Sequence, residues 1–179
     1  MDSELARLLD AADFAARKHR RQRRKDPEGT PYINHPIGVA RILAREAGVT
    51  DVEVLQAALL HDALEDTDAT AEELERRFGA RVRRLVEELT DDKALPPAER
   101  KRLQEERAPR RSPAAKLLAL ADKLHNLRDL QRCPPAGWPP ARVHEYFEWA
   151  ARVVRGLRGT SAPLEDALAR LFRERGLEL

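Results

Sequence analysis

Ala57-Ala58-Leu59-Leu60-His61-Asp62 is the stretch on which the reading of this chain turns. Four apolar residues in succession leave a helix no polar face, so the segment belongs in a core. It closes on an imidazole and a carboxylate. An ionised aspartate there needs partners, because an unpaired buried carboxylate is very costly. The spacing around it predicts a helix over about 51–66, and helices follow in both directions. Ser3 reads as an N-cap, with Leu5, Leu8, Leu9, Ala12 and Ala16 at helical spacing toward Lys25. Asp26-Pro27-Glu28-Gly29-Thr30-Pro31 breaks that helix, and the next begins at Pro36 and stops at Gly48.

Beyond residue 66, short helices are expected over 70–78 and 81–90, separated by Gly79. Pro96 and Pro97 precede a charged segment, 99–107. Ser112-Pro113 caps a long helix carrying Leu117, Leu120, Leu124 and Leu127. A Pro/Gly break at 134–140 comes before a helix over 142–157, and a last helix lies near 163–175. Eight or nine helices, no strand, no internal repeat and no dividing linker predict an all-α, irregular helical bundle forming a single domain over 1–179.

Composition agrees. Apolar residues make up 42% and charged residues 36%, which suits a soluble helical protein with an ion-paired surface and does not suit disorder. The 33 basic and 31 acidic side chains nearly cancel, so overall charge implies no polyanion partner. Cys133 is alone, which excludes an intramolecular disulfide and favours a reducing compartment. The opening segment carries acids where a targeting peptide carries bases, and no apolar run has the length of a membrane span; a cytoplasmic location is expected.

Two further fragments complete what His61-Asp62 begins. His35 stands at a helix start in Asn34-His35-Pro36, and Asp122 lies among apolar residues in Leu120-Ala121-Asp122-Lys123-Leu124. Two imidazoles and two carboxylates form a mixed nitrogen and oxygen set suited to manganese, zinc or iron. Four ligands leave positions open for water and a substrate oxygen, as metal-assisted hydrolysis requires. Glu65 and Asp66 follow His61 and Asp62 by one turn, about 6 Å along the same face of a continuous helix. A carboxylate there can orient and deprotonate an attacking water. Asn126, one turn beyond Asp122, completes a polar edge able to bind sugar or phosphate.

Lys18-His19-Arg20-Arg21-Gln22-Arg23-Arg24-Lys25 is a basic tract running toward His35. Most such runs are solvated helix faces. A phosphate-rich substrate needs cations beside the metal, so Arg24 and Lys25 are assigned to the substrate and the others to the surface. No aromatic platform accompanies the tract, which argues against nucleic acid. Trp138, Arg142 and Tyr146 form the last cluster, read either as a nucleotide clamp or as plain aromatic packing.

Three strings carry a resemblance: Thr30-Pro31-Tyr32-Ile33-Asn34-His35-Pro36, Leu60-His61-Asp62-Ala63-Leu64-Glu65-Asp66-Thr67 and Leu120-Ala121-Asp122-Lys123-Leu124-His125-Asn126-Leu127. In order and spacing they resemble the HD-superfamily hydrolase domain of RelA/SpoT proteins, nearest to the stand-alone metazoan SpoT form. The resemblance implies an all-α fold holding one Mn²⁺ on His35, His61, Asp62 and Asp122. It implies a catalytic pair at Glu65 and Asp66, with nucleotide contacts at Arg24, Lys25 and Asn126. The implied reaction is removal of the 3′-pyrophosphate from guanosine 3′,5′-bis(diphosphate), ppGpp, with removal of the 2′-phosphate of NADPH as the alternative. Ala63-Leu64 departs from the larger pair usual in the family, and His125 follows the bacterial pattern where animal relatives often carry tyrosine. A nucleotide sensor without turnover is the competing class; it would need the ligands but not Glu65 and Asp66.

Overall fold

The computed structural model describes residues 3–179, with helices and turns throughout and, among the described residues, no strand beyond one isolated bridge. Asp51 starts the helix on which the first part is built. Its carboxylate accepts from the backbone N–H groups of Glu53 and Val54 at 3.0 and 3.4 Å, and the Arg81 guanidinium grips the same carboxylate at 2.6 and 3.0 Å. The helix it caps, α3 (Val52–Leu60), is buried at every position except Glu53. Around it pack α1 (Glu4–Lys18), α2 (Asn34–Arg45) and α6 (Ala80–Leu89), while α5 (Ala71–Phe78) packs on α6. Gln56 is the one polar residue buried on α3, and its amide donates to the Arg7 carbonyl at 2.9 Å. Each aliphatic side chain so buried stabilises the fold by roughly 1.5–3 kcal/mol.

The helix expected over 51–66 is interrupted. At His61 and Asp62 the chain turns, with Asp62 at φ −96° and ψ 0°, and a single helical turn, α4 (Ala63–Asp66), follows. His61 causes this locally: its Nδ1 lies 2.7 Å from the Ala58 carbonyl, the acceptor that the Asp62 N–H would use in a continuous helix. Thr67 ends α4 by donating its hydroxyl to the Ala63 carbonyl at 2.6 Å.

α1 begins as its sequence indicates, with the Ser3 hydroxyl accepting from the Ala6 N–H at 3.1 Å, but it stops at Lys18 and not near Lys25. Residues 19–23 form a turn and then a short extended piece: Gln22 N–H donates to His19 C=O at 2.8 Å, and Arg23 bridges antiparallel to Pro31. The buried face of α1 is Ala11, Phe14 and Ala15, leaving Leu5 and Leu9 exposed.

The described chain forms two compact units. Residues 3–23 and 31–92 make the first, and residues 24–30 and 93–179 the second. In the second, α7 (Pro97–Arg107) is the charged segment of the sequence, and a 3₁₀ turn (Ala108–Arg110) links it to α8 (Pro113–Arg132). Ser112 caps α8 by accepting from Ala115 N–H at 3.3 Å, with Pro113 in the first turn. Leu118, Leu120, Leu124 and Leu127 are fully buried, and α9 (Pro140–Arg155) and α10 (Ala162–Arg173) pack on α8. The segment 24–30 is closed by Asp26, whose carboxylate accepts from the Thr30 N–H at 3.0 Å and the Thr30 hydroxyl at 2.6 Å. No helix among the described residues is long and apolar enough to cross a membrane.

Gly156, just beyond α9, has an ordinary φ of −72°, so its requirement is for space. A Cβ there would lie 2.8 Å from the Ala108 Cβ and 3.0 Å from Pro109 Cδ. Gly156→Ala is therefore expected to destabilise the protein by about 1–3 kcal/mol through overpacking, measured as a lower urea midpoint at unchanged slope.

Candidate active site

In the first unit, three of the expected metal ligands come together. α2 contributes His35 from its first turn, and the end of α3 contributes His61 and Asp62. One ligand atom from each lies within 4.8 Å of the others. His61 Nε2 stands 3.1 Å and His35 Nε2 3.7 Å from Asp62 Oδ2, with the two imidazoles edge to face at 5.1 Å between centroids. Both histidines are buried. The Ala58 carbonyl can only accept, so His61 carries its proton on Nδ1 and keeps the Nε2 lone pair for the cluster. The donor set therefore fits a divalent ion: a tautomerically fixed imidazole, a second imidazole and a carboxylate, with their ligand atoms within 4.8 Å of one another. Tyr32 donates its hydroxyl to Asp62 Oδ2 at 2.6 Å and so orients that carboxylate.

The turn at His61–Asp62 gives the next two acids different surroundings. Glu65 accepts the Asp91 backbone N–H at 2.7 Å. Burial pushes its carboxyl up from 4.5 to about 7, and the charges of Asp91, Asp62 and Asp66 push the same way against that hydrogen bond. Asp66 accepts from the Gln22 amide at 3.1 Å. Because that amide nitrogen donates to Asp66, the Gln22 oxygen accepts the Nδ1 proton of His19, 2.6 Å away. His19, which the sequence reading left on the surface with the rest of the basic tract, is buried. The early end of α1 turns it inward.

The second unit assembles a different part. Asp122 on α8 has one carboxylate oxygen against the Lys123 ammonium at 3.1 Å and the other accepting from the Asn126 amide at 2.9 Å. Lys123 is buried with its ammonium 4.9 Å from the Trp149 ring centroid. Burial alone would lower its pKa, but the Asp122 carboxylate reverses the direction and the group is raised. Arg24 donates to Asn126 and Asp129, at 3.0 Å in each case. Lys25 is exposed. Arg142 stacks on Trp138 at 4.2 Å, and Tyr146 lies 6.2 Å from Trp138 between ring centroids, so the expected aromatic cluster forms. His125 approaches Asp129 at 3.7 Å.

Four residues of these networks escaped the sequence reading. Tyr32 lay within a quoted string without a role, and its offset from Asp62 along the chain gave no signal of contact. Gln22 and His19 were hidden by the charge of their neighbours, and Lys123 by its proximity to Asp122.

A helical chain with two histidines and an aspartate gathered in this way is the signature of a metal-dependent hydrolase class. The chain belongs to the HD domain family, whose model matches residues 11–146. It is 72% identical to guanosine-3′,5′-bis(diphosphate) 3′-pyrophosphohydrolase MESH1 of Homo sapiens over 100% of both chains. It is 56% identical to the enzyme of the same name from Drosophila melanogaster, over 96% of each chain. A solved structure of a metazoan ortholog of SpoT, described as hydrolysing ppGpp, superposes with a TM-score of 0.95 at 55% identity, covering 99% of this chain and 98% of that one.

The raised Glu65 carboxyl has a stability consequence in metal-free protein. Between pH 4.5 and about 7 the native state holds a proton that the unfolded chain has lost. This contribution is full below pH 4.5 and is lost as pH rises through about 7. Glu65→Gln should flatten that part of the stability curve, measured by thermal unfolding of both proteins in chelator across the range; parallel curves would refute it.

Proposed function

We propose that this protein removes the 3′-pyrophosphate of guanosine 3′,5′-bis(diphosphate), giving GDP and pyrophosphate. The observation that carries the reading is the His35–His61–Asp62 cluster with a carboxyl poised near 7 one turn later. The names borne by relatives similar over their whole length point the same way. We assign the fourth ligand to Asp122 and the resident ion to Mn²⁺; this rests on the donor set and on the sequence motif around Asp122. When bound, the ion supplies Lewis-acid activation of a phosphoryl oxygen and of water.

The residues of the chain do the rest. Glu65 takes a proton from the water that attacks the phosphorus bonded to ribose O3′. The water oxygen joins that phosphorus, the P–O3′ bond breaks, and the same proton is available to the departing ribose oxygen. In metal-free protein burial holds this carboxyl up at about 7, so it binds a proton more readily than an ordinary carboxylate, which favours the first half of this exchange. Asp66, steadied by Gln22, orients the water. Arg24, Lys25 and Asn126 bind phosphate and sugar, and Trp138, Arg142 and Tyr146 clamp the base. A sensor would need the ligands but not the Glu65–Asp66 pair.

Chelation should abolish activity, with Mn²⁺ restoring it best. Asp62→Ala should retain less than one ion per chain by elemental analysis and should lose the thermal stabilisation that added metal gives the parent. Full turnover by protein shown to be free of metal would exclude the assignment.

Product analysis tests the reaction itself. From ppGpp the first product should be pyrophosphate, with GDP formed in equal amount. Arg24→Ala should raise KM more than it lowers kcat, since a phosphate contact made before the transition state acts mainly on binding. Orthophosphate as first product from ppGpp would place cleavage between two phosphates and overturn the geometry. NADPH run in parallel, with orthophosphate release at a higher kcat/KM, would make its 2′-phosphate the principal substrate.

A further inference from the structure

The basic tract leaves a part that the proposed reaction does not use. Arg24 and Lys25 belong to the second unit, whereas Lys18, Arg20 and Arg21 stay in the first. There, with Arg17 and with Arg77 of α5, they surround a cleft of about 360 Å³. Phe14 forms its floor, and among the described residues the carboxylates that line it are Asp68 and Glu73.

Five cations thus face two acids, and the neutralisation is uneven. Lys18 bridges Asp68 and Glu73 at 2.9 and 3.0 Å. Arg77 reaches Glu73 only at 3.8 Å, and Arg17 pairs outside the cleft with Asp13 at 2.9 Å. The side chains of Arg20 and Arg21 have no ion pair or hydrogen bond among the described residues, and both are exposed. Asp68 feels the charge of Arg20, but it is bonded to Lys18, and among the described residues neither guanidinium group makes an ion pair of its own; two such groups beside further cations favour a multivalent anion from solution.

The floor narrows the class of ligand. Lys18 and Arg77 already lie over the Phe14 ring, at 5.3 and 5.2 Å, and Phe78 meets its edge at 5.4 Å. Phe14 is buried beneath them, so its ring offers little surface on which a nucleobase could stack. The cleft suits compact charge and not a planar ring.

Its walls connect to the acid pair. Thr67 and Asp68 directly follow Glu65 and Asp66. The tract holds this segment by two tethers, Lys18 on Asp68 and Gln22 on Asp66. An anion that draws the Lys18 ammonium to itself releases the first of these tethers and so weakens the hold of the tract on the segment that carries Asp66.

We propose that this cleft is a second anion site, taking a compact di- or triphosphate group, and that filling it lowers turnover by loosening the segment that carries Asp66. The kinetic half rests on the role given to Asp66 above; the binding half does not.

Calorimetric titration of metal-loaded enzyme with inorganic tripolyphosphate, at near-physiological salt and constant free metal ion, tests it. The parent should show two classes of site. Arg20→Glu/Arg21→Glu should lose one class, or bind it roughly tenfold or more weaker, while its kcat without added anion stays unchanged. Tripolyphosphate should lower kcat of the parent at saturating substrate but raise only KM in the double variant. ATP should bind the cleft no tighter than tripolyphosphate; a tenfold preference for ATP would overturn the ligand class. One class of site in the parent, a second class untouched by the double variant, or a fall in kcat that survives the substitutions would overturn the site. If ppGpp is not hydrolysed at all yet the second class behaves as described, the proposed reaction fails and the anion site stands.

Discussion

A carboxylate set against two imidazoles at the end of an otherwise apolar helix is the constraint on which the rest of the site depends. Asp62 cannot follow α3 into the core without partners, and it meets His61 at 3.1 Å, His35 at 3.7 Å and the Tyr32 hydroxyl at 2.6 Å. The burial of α3 places His61, the packing of α2 on α3 places His35, and the turn after α1 leads to Tyr32. The hydrogen bond from His61 to the Ala58 carbonyl acts twice: it ends the helix and leaves the outer imidazole nitrogen as a donor for an ion.

Three acids within five residues then serve three different purposes because their surroundings differ. Asp62 lies among nitrogen donors. Glu65 sits where burial and neighbouring negative charge hold its proton to about 7. Asp66 is tied to Gln22, and through it to a buried histidine. Environments that separate the behaviour of adjacent carboxyl groups are how one segment supplies both ligand and proton acceptor.

The second unit treats Asp122 with comparable care. Lys123 and Asn126 occupy its two oxygens, and Lys123 is in turn packed on Trp149. That indole is bracketed by two ammonium groups, Lys123 at 4.9 Å and Lys101 at 5.2 Å, and its Nε1 donates to the Lys101 carbonyl at 3.2 Å. A buried lysine in such a setting stays charged and keeps its neighbouring carboxylate aimed.

By itself the sequence determined the helical class, the identity of α3 as a core element and three residues, His35, His61 and Asp62, that gather into a cluster able to hold a metal. These depend on period, capping and residue chemistry, which act over a few positions: Ser3, Asp51 and Ser112 all cap the helices that follow them. Tertiary structure alone decided where α1 stops and how α3 divides at His61–Asp62. The division of α3 goes with one side-chain hydrogen bond, His61 to the Ala58 carbonyl, and the end of α1 with a backbone turn from Gln22 to His19; no periodicity records either. It also decided that His19 is buried, that Tyr32 serves Asp62, and that one run of basic residues is shared between two units. A run of charges reads as one feature along the chain, but each side chain takes its role from the three-dimensional neighbours that neutralise it or leave it open.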